Sequence, residues 1–243
     1  MLLYSPEDVM ADLKRAVQLE PNLSGAHYAL GVAYDRMGKV DEAMVEFQKA
    51  VELDASDARS HLYLAEKYAN SGQPHRAISA FAAALKADPE NVEALKDYAF
   101  LCLAHDEERR WREAKRALET AIQIRPNDPE ILMNYGYTLF LDRENDEAIA
   151  HYLRSIQLKP DWALSHYNLG VAYYYLGRYT DAVGEYQSAL AINPGDVESH
   201  LYLGLAHYQI GDTQKAIAEW QQVLRLDPNN QLAQQNLKAL GAY

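Results

Sequence analysis

The chain of 243 residues is 49% apolar and 24% charged, which is typical of a folded protein and excludes a disordered or collagen-like chain. Its net charge of -12 is spread evenly, because residues 1–128 carry 22 acidic and 16 basic side chains and residues 129–243 carry 13 and 7. This even acidity argues against a nucleic-acid partner, and no apolar run approaches the roughly 18 residues that span a bilayer, so we expect no direct membrane insertion.

A repeat of 34 residues organises the chain. The stretch HYALGVAY at His27 returns as HYNLGVAY at His166, and both histidines recur 34 residues further on, at His61 and His200. The repeat predicts a half-repeat with a single helix, six units and a C-terminal capping helix. Their bounds are 1–23; 24–57, 58–91, 92–128, 129–162, 163–196 and 197–230; and 231–243.

Each unit predicts two helices. In the fifth unit, apolar residues at helical spacing run from Ala163 to Leu176, Gly177 ends that helix, and Thr180 or Asp181 is expected to cap the next one. Small residues recur at matching places in both helices and predict close backbone approach. Ring residues of the second helices, such as Tyr186, are expected to fill the seam to the following unit.

The fifth unit, ALSHYNLGVAYYYLGRYTDAVGEYQSALAINPGD, resembles a tetratricopeptide repeat (TPR), whose pattern is W-x2-L-G-x2-Y, A-x3-F and P. The matching residues are Leu169, Gly170, Tyr173, Ala182 and Pro194, with His166 in place of Trp and Tyr186 in place of Phe. The resemblance covers residues 24–230. It implies an all-α fold, an α-solenoid in which antiparallel helix pairs form a right-handed superhelix, with first helices lining a concave channel for a peptide or partner helix.

The periodic histidines are candidate metal ligands. His27, His61, His166 and His200 share one repeat position, so neighbouring copies are displaced by about 8–10 Å, the spacing of packed helices. Zinc needs at least three ligands that converge on one ion. We therefore expect a packing role for these histidines, with no metal site and no cofactor.

Catalytic residues are not expected. Cys102 and His105 lie three residues apart, but Cys102 replaces the packing Tyr of the repeat, and no nucleotide-binding or hydrolase motif occurs. The charge run DEERRWRE, from Asp106 to Glu113, lies where the third unit has three more residues than the other units. It is interpreted as a solvated turn, with an exposed anchor at Trp111 as the alternative.

The family's geometry assigns the channel lining. In the first three units the assigned positions are mostly charged. In the last three they are aromatic, apolar or amide residues, with only Glu130 and Glu198 charged. The predicted peptide-binding residues are Met133, Asn134, Tyr137, Phe140, Tyr167, Asn168, Val171, Tyr174, Tyr175, Leu201, Tyr202, Leu205 and Tyr208. Tyrosines offer apolar area with little side-chain entropy to lose, and asparagine amides can bond a peptide backbone.

These observations predict a non-enzymatic scaffold that binds a protein or peptide partner. Two alternatives stay open: a structural scaffold that self-associates through the N-terminal half-repeat, and the substrate-recognition arm of a larger enzyme whose catalytic domain is absent. No export signal is recognised in MLLYSPEDVM, so a cytoplasmic location is only the default expectation.

Overall fold

A computed structural model describes residues 6–105 and 110–242, which contain fourteen α-helices and no β-strand. In chain order the helices are α1 (Pro6–Leu19), α2 (Ser24–Arg36), α3 (Val40–Leu53), α4 (Ala58–Asn70), α5 (Pro74–Ala87), α6 (Val92–Ala104), α7 (Trp111–Ile124), α8 (Pro129–Leu141), α9 (Asn145–Leu158), α10 (Ala163–Tyr175), α11 (Tyr179–Ile192), α12 (Val197–Gln209), α13 (Thr213–Leu226) and α14 (Gln231–Ala239). The predicted all-α fold is confirmed.

The helices form two compact units, one of residues 1–124 with α1 to α7 and one of residues 125–243 with α8 to α14. We call these two larger bodies unit 1 and unit 2, and each of them contains several of the 34-residue repeats. Within unit 1, the hairpins α2/α3, α4/α5 and α6/α7 stack in order, and α1 packs on α2. Within unit 2, the hairpins α8/α9, α10/α11 and α12/α13 stack in the same way, and α14 packs on α13. Each unit is therefore a solenoid segment, in which a hairpin is stabilised by its neighbours.

Glycines in the first helices let rings of the second helices pack against the backbone. A Cβ atom added to Gly204 would lie 2.4 Å from Nε1 of Trp220, and one added to Gly170 would lie 2.7 Å from Cε1 of Tyr186. Trp220 and Tyr186 are buried. These rings were expected in the seam to the next repeat, and they also fill the space over the glycine of their own hairpin.

The turn within each hairpin is tighter than the sequence indicated. Gly177 has a φ of +74°, which reverses the chain in one left-handed residue, and α11 begins at Tyr179 with Arg178 as its N-cap. The predicted caps Thr180 and Asp181 are wrong, because both lie inside the first turn of α11. Asp181 instead accepts a hydrogen bond from Nε of Arg178 at 2.7 Å.

The repeated histidine joins three parts of its repeat. In the fifth repeat, Nε2 of His166 donates to the carbonyl oxygen of Pro160 at 3.2 Å, and Nδ1 lies 2.7 Å from Oε2 of Glu185. We call this arrangement the histidine clamp. It recurs at His27 with Glu46 (2.7 Å) and Pro21 (3.0 Å), and at His200 with Glu219 (2.6 Å) and Pro194 (3.1 Å). His61 keeps only the carbonyl contact, to Ala55 at 3.2 Å, because Ala80 stands where the other repeats have Glu.

Candidate functional site

The first helices of unit 2 lie side by side, with α10 in contact with both α8 and α12. They also pack against the second helices α9, α11 and α13. The predicted peptide-binding residues lie on α8, α10 and α12, and we call the part of these helices that carries them the first-helix face of unit 2.

The structure places these thirteen residues at three depths. Tyr175 and Tyr208 are exposed, with 64% and 47% of their surface accessible. Met133 and Leu201 are buried. The others are half-buried, namely Asn134, Tyr137, Phe140, Tyr167, Asn168, Val171, Tyr174, Tyr202 and Leu205.

Met133 and Leu201 support the face from beneath and offer it little surface. Leu201 belongs to a core cluster with Trp220, and its carbonyl oxygen accepts a hydrogen bond from Nε1 of that Trp at 3.3 Å. Met133 is turned toward the neighbouring first helix, where Nδ2 of Asn168 lies 3.1 Å from its sulfur.

Four tyrosines form a continuous aromatic surface across α10 and α12. The ring of Tyr174 meets the rings of Tyr175 and Tyr202 edge to face, with centroids 5.7 and 6.0 Å apart. Tyr202 in turn meets Tyr167 edge to face at 6.0 Å. We call Tyr167, Tyr174, Tyr175 and Tyr202 the tyrosine cluster. Phe140 of α8 continues it, with its ring 5.9 Å from that of Tyr175. Edge-to-face contacts stabilise such rings in one arrangement, so the surface is formed before a partner arrives.

The hydroxyl groups of Tyr167, Tyr174 and Tyr202 are neutral at physiological pH. Burial raises the pKa of Tyr167 and Tyr174. Burial, together with the neighbouring Tyr175 hydroxyl, raises the pKa of Tyr202 to about 12. The cluster therefore presents O–H groups that can donate to a carbonyl or carboxylate oxygen.

Beneath the cluster lies Tyr186 of α11, which the sequence pattern treated only as a packing ring. It is fully buried, and its ring contacts those of Tyr167 and Tyr202 at 6.0 Å each. Its hydroxyl has no hydrogen-bond partner among the residues that the structure describes. A buried donor without an acceptor costs about 1–3 kcal/mol. No sequence signal marks this hydroxyl, since Tyr simply replaces the usual Phe.

The asparagines occupy the same position in neighbouring helices. The amide of Asn168 donates to the thioether sulfur of Met133, which is a weak acceptor and is readily replaced by an oxygen. Asn134 is half-buried on α8. Both asparagines are thus partly accessible on neighbouring first helices.

The other candidates from the sequence form no second site. Cys102 is buried and His105 is exposed, so a thiol and a base do not share a reactive surface. Trp111 is half-buried, and Cζ of Arg112 lies 4.5 Å from its ring, while Asp106 to Arg109 lie outside the described residues. Within the described ranges, no three His, Cys, Asp or Glu side chains group as metal ligands, and no helix is long and apolar enough to cross a membrane.

One cleft in unit 1 was not indicated by the sequence. It has a volume of about 430 Å³ and lies between α1 and α2, where Val9, Leu13, Val32 and Met37 line it.

The fold defines a helical repeat protein whose unit 2 carries an aromatic surface, and the comparisons with known proteins name its family. Models of the tetratricopeptide repeat match residues 24–57, 58–101, 144–176 and 167–231. The chain belongs to the tetratricopeptide repeat family.

Solved structures of this family share the fold. The type IV pilus biogenesis factor PilW has a TM-score of 0.68 at 20% identity, covering 88% of this chain and 98% of its own. The Cut9–Hcn1 structure of the APC/C has a TM-score of 0.66 at 22% identity, covering 97% and 46%. YrrB, described as a TPR protein with an unusual peptide-binding site, has a TM-score of 0.61 at 18% identity, covering 79% and 97%.

A curated relative matches a short stretch. The human protein O-mannosyl-transferase TMTC2 is 43% identical over 56 residues, which are 23% of this chain and 7% of the human protein. The chain therefore spans a small part of the length of that relative.

Proposed function

We propose that the chain is a non-enzymatic scaffold that binds an extended peptide or a partner helix on the first-helix face of unit 2. The observation that carries the proposal is the tyrosine cluster, a set of rings that are ordered by mutual contact and still accessible. Tyr is enriched at the centres of protein interfaces, because it buries a large apolar area at a low entropic cost.

Polar groups on the same face supply orientation. The amides of Asn134 and Asn168 can each donate to and accept from a peptide backbone. A partner carbonyl that reaches either amide gains a hydrogen bond in a partly dehydrated place, and this fixes the register of the peptide.

The experiment is a selection from a library of random-sequence peptides on the wild-type chain. The double variant Tyr167→Ala, Tyr174→Ala should bind the selected peptides at least about tenfold more weakly, since two anchor rings are lost. The matched control is Leu153→Ala with Ile192→Ala, which removes exposed apolar side chains from the second helices α9 and α11. Both variants should keep the helical circular dichroism of the wild type. Equal binding by the two double variants would remove the first-helix face from consideration.

Self-association through the N-terminal half-repeat is a second candidate, favoured by the cleft between α1 and α2 and by Leu19, which is 72% exposed. Light scattering over a concentration series tests it. A mass that rises with concentration in the wild type, and not in Leu13→Asp, would support self-association, and a constant monomer mass would reject it.

The third candidate is a recognition arm of a larger enzyme. The observation that favours it is the 56-residue similarity to a human protein named as an O-mannosyl-transferase. Sequencing the coding region on both sides of this chain decides the matter, because an attached catalytic domain would appear there.

A further inference from the structure

The first hairpins of unit 1 carry a ring trio that matches one in unit 2. Tyr28, Phe47 and Tyr63 occupy the same repeat positions as Tyr167, Tyr186 and Tyr202. The ring centroids of Tyr28 and Phe47 are 5.6 Å apart, and those of Phe47 and Tyr63 are 4.0 Å apart. The corresponding distances in unit 2 are both 6.0 Å.

In unit 1 the chain covers these rings with its own cations. Cζ of Arg59 lies 4.1 Å from the ring centroid of Tyr28, and Nζ of Lys67 lies 4.8 Å from that of Tyr63. A carboxylate completes the arrangement, because Asp35 is 3.5 Å from Lys67 and accepts a hydrogen bond from Tyr63 at 2.6 Å. Rings and a carboxylate around a cation give cation–π and ionic attraction together.

In unit 2 the rings are kept, the cations are missing, and Tyr174 stands at the repeat position of Asp35. Glu198 stands at the repeat position of Arg59, and the buried Ala206 stands at that of Lys67. Glu198 is exposed and lies four residues before Tyr202 on α12, so the two side chains are neighbours on one face of that helix. Within residues 6–105 and 110–242, no Lys or Arg lies over Tyr167 or Tyr202 and none pairs with Glu198.

We propose that Tyr167, Tyr202 and Glu198 receive an arginine side chain of the bound peptide. The guanidinium would take the place over Tyr167 that Arg59 takes over Tyr28, while it donates hydrogen bonds to the Glu198 carboxylate. Arginine suits this site better than lysine, because its planar group stacks on rings and is more weakly hydrated. The acidic net charge of -12 favours the approach of such a peptide.

This inference rests on the proposed function and specifies the partner as an arginine-containing peptide. The test uses the same random-peptide selection on the full chain, followed by synthesis of one selected peptide in two forms, with arginine and with citrulline. Citrulline keeps the shape of the side chain and removes its charge. We expect the selected peptides to be enriched in arginine, and the citrulline form to bind about five- to thirtyfold more weakly.

The variant Glu198→Arg supplies the cation from the chain itself, as Arg59 does in unit 1. It should bind the arginine and citrulline peptides with similar, weakened affinity. The control Glu147→Arg makes the same charge change on α9, a second helix, and should keep the full preference for arginine.

The outcomes separate the two claims. Peptides that need Tyr167 and Tyr174 but bind equally well with citrulline would overturn the arginine site and leave the proposed function standing. Peptides that bind Tyr167→Ala, Tyr174→Ala as tightly as the wild type would overturn the proposed function itself. Selection of acidic peptides would also contradict the arginine site.

Discussion

Single glycines of the first helices set how closely each hairpin packs. Gly204 has no room for even one added carbon, because Nε1 of Trp220 would lie 2.4 Å from it. Gly184 of α11 differs, since a Cβ atom there would meet nothing within 4 Å. The same substitution therefore has opposite consequences at the two positions.

We predict that Gly204→Ala lowers the free energy of unfolding by about 1–3 kcal/mol, because the buried indole must move. Gly184→Ala should raise it by about 0.5–1 kcal/mol, because alanine restricts the unfolded chain and favours the helix. Urea unfolding followed by circular dichroism measures both. A neutral Gly204→Ala would show that the Trp220 ring does not pack tightly against the backbone at Gly204.

At the scale of helices, the histidine clamp joins the loop before each first helix to the second helix of the same repeat. The carbonyl oxygen of the loop accepts a hydrogen bond from Nε2, and Nδ1 forms the second hydrogen bond with the glutamate. The clamp is complete at His27, His166 and His200. It is incomplete at His61, where Ala80 replaces the glutamate and lies with His61 along a cleft of about 440 Å³.

We predict that Ala80→Glu completes the fourth clamp and raises the free energy of unfolding by about 0.5–1 kcal/mol, the range of a partly exposed ion pair. The gain should vanish when His61→Ala is added, which makes the pair a double-mutant cycle. The reverse change, Glu219→Ala, should destabilise the sixth repeat. A gain from Ala80→Glu that survives without His61 would show that the carboxylate acts in some other way.

At the scale of the whole molecule, the periodicity of the sequence was sufficient to predict the fold class. The same pattern of small residues, ring residues and helix-ending residues recurs along the repeats. Gly177 marks the end of α10, for example, but the beginning of α11 was missed. A left-handed residue closes that turn in one step and moves the N-cap back to Arg178. In the fourth repeat Arg143 holds this conformation, with a φ of +66°, and no sequence rule indicates an arginine there.

The sequence predicted which helices carry the candidate residues, but it did not predict how deeply each side chain is buried. Helical spacing placed Tyr167, Tyr174 and Tyr202 on one face, but it could not separate exposed Tyr175 from buried Leu201. Burial depends on the neighbouring hairpin, which a single repeat does not specify. The contrast between Arg59 and Glu198 is visible in the sequence, yet its meaning depends on the rings that Arg59 covers in unit 1.

The most direct test of the central claim, that the first-helix face of unit 2 is the binding surface, is photo-cross-linking. A selected peptide carrying a benzophenone side chain is irradiated with the full wild-type chain, and the cross-linked residues are identified by mass spectrometry. The adducts are expected on α8, α10 and α12, around the tyrosine cluster. Adducts confined to α9, α11 and α13, or to the cleft between α1 and α2, would contradict it.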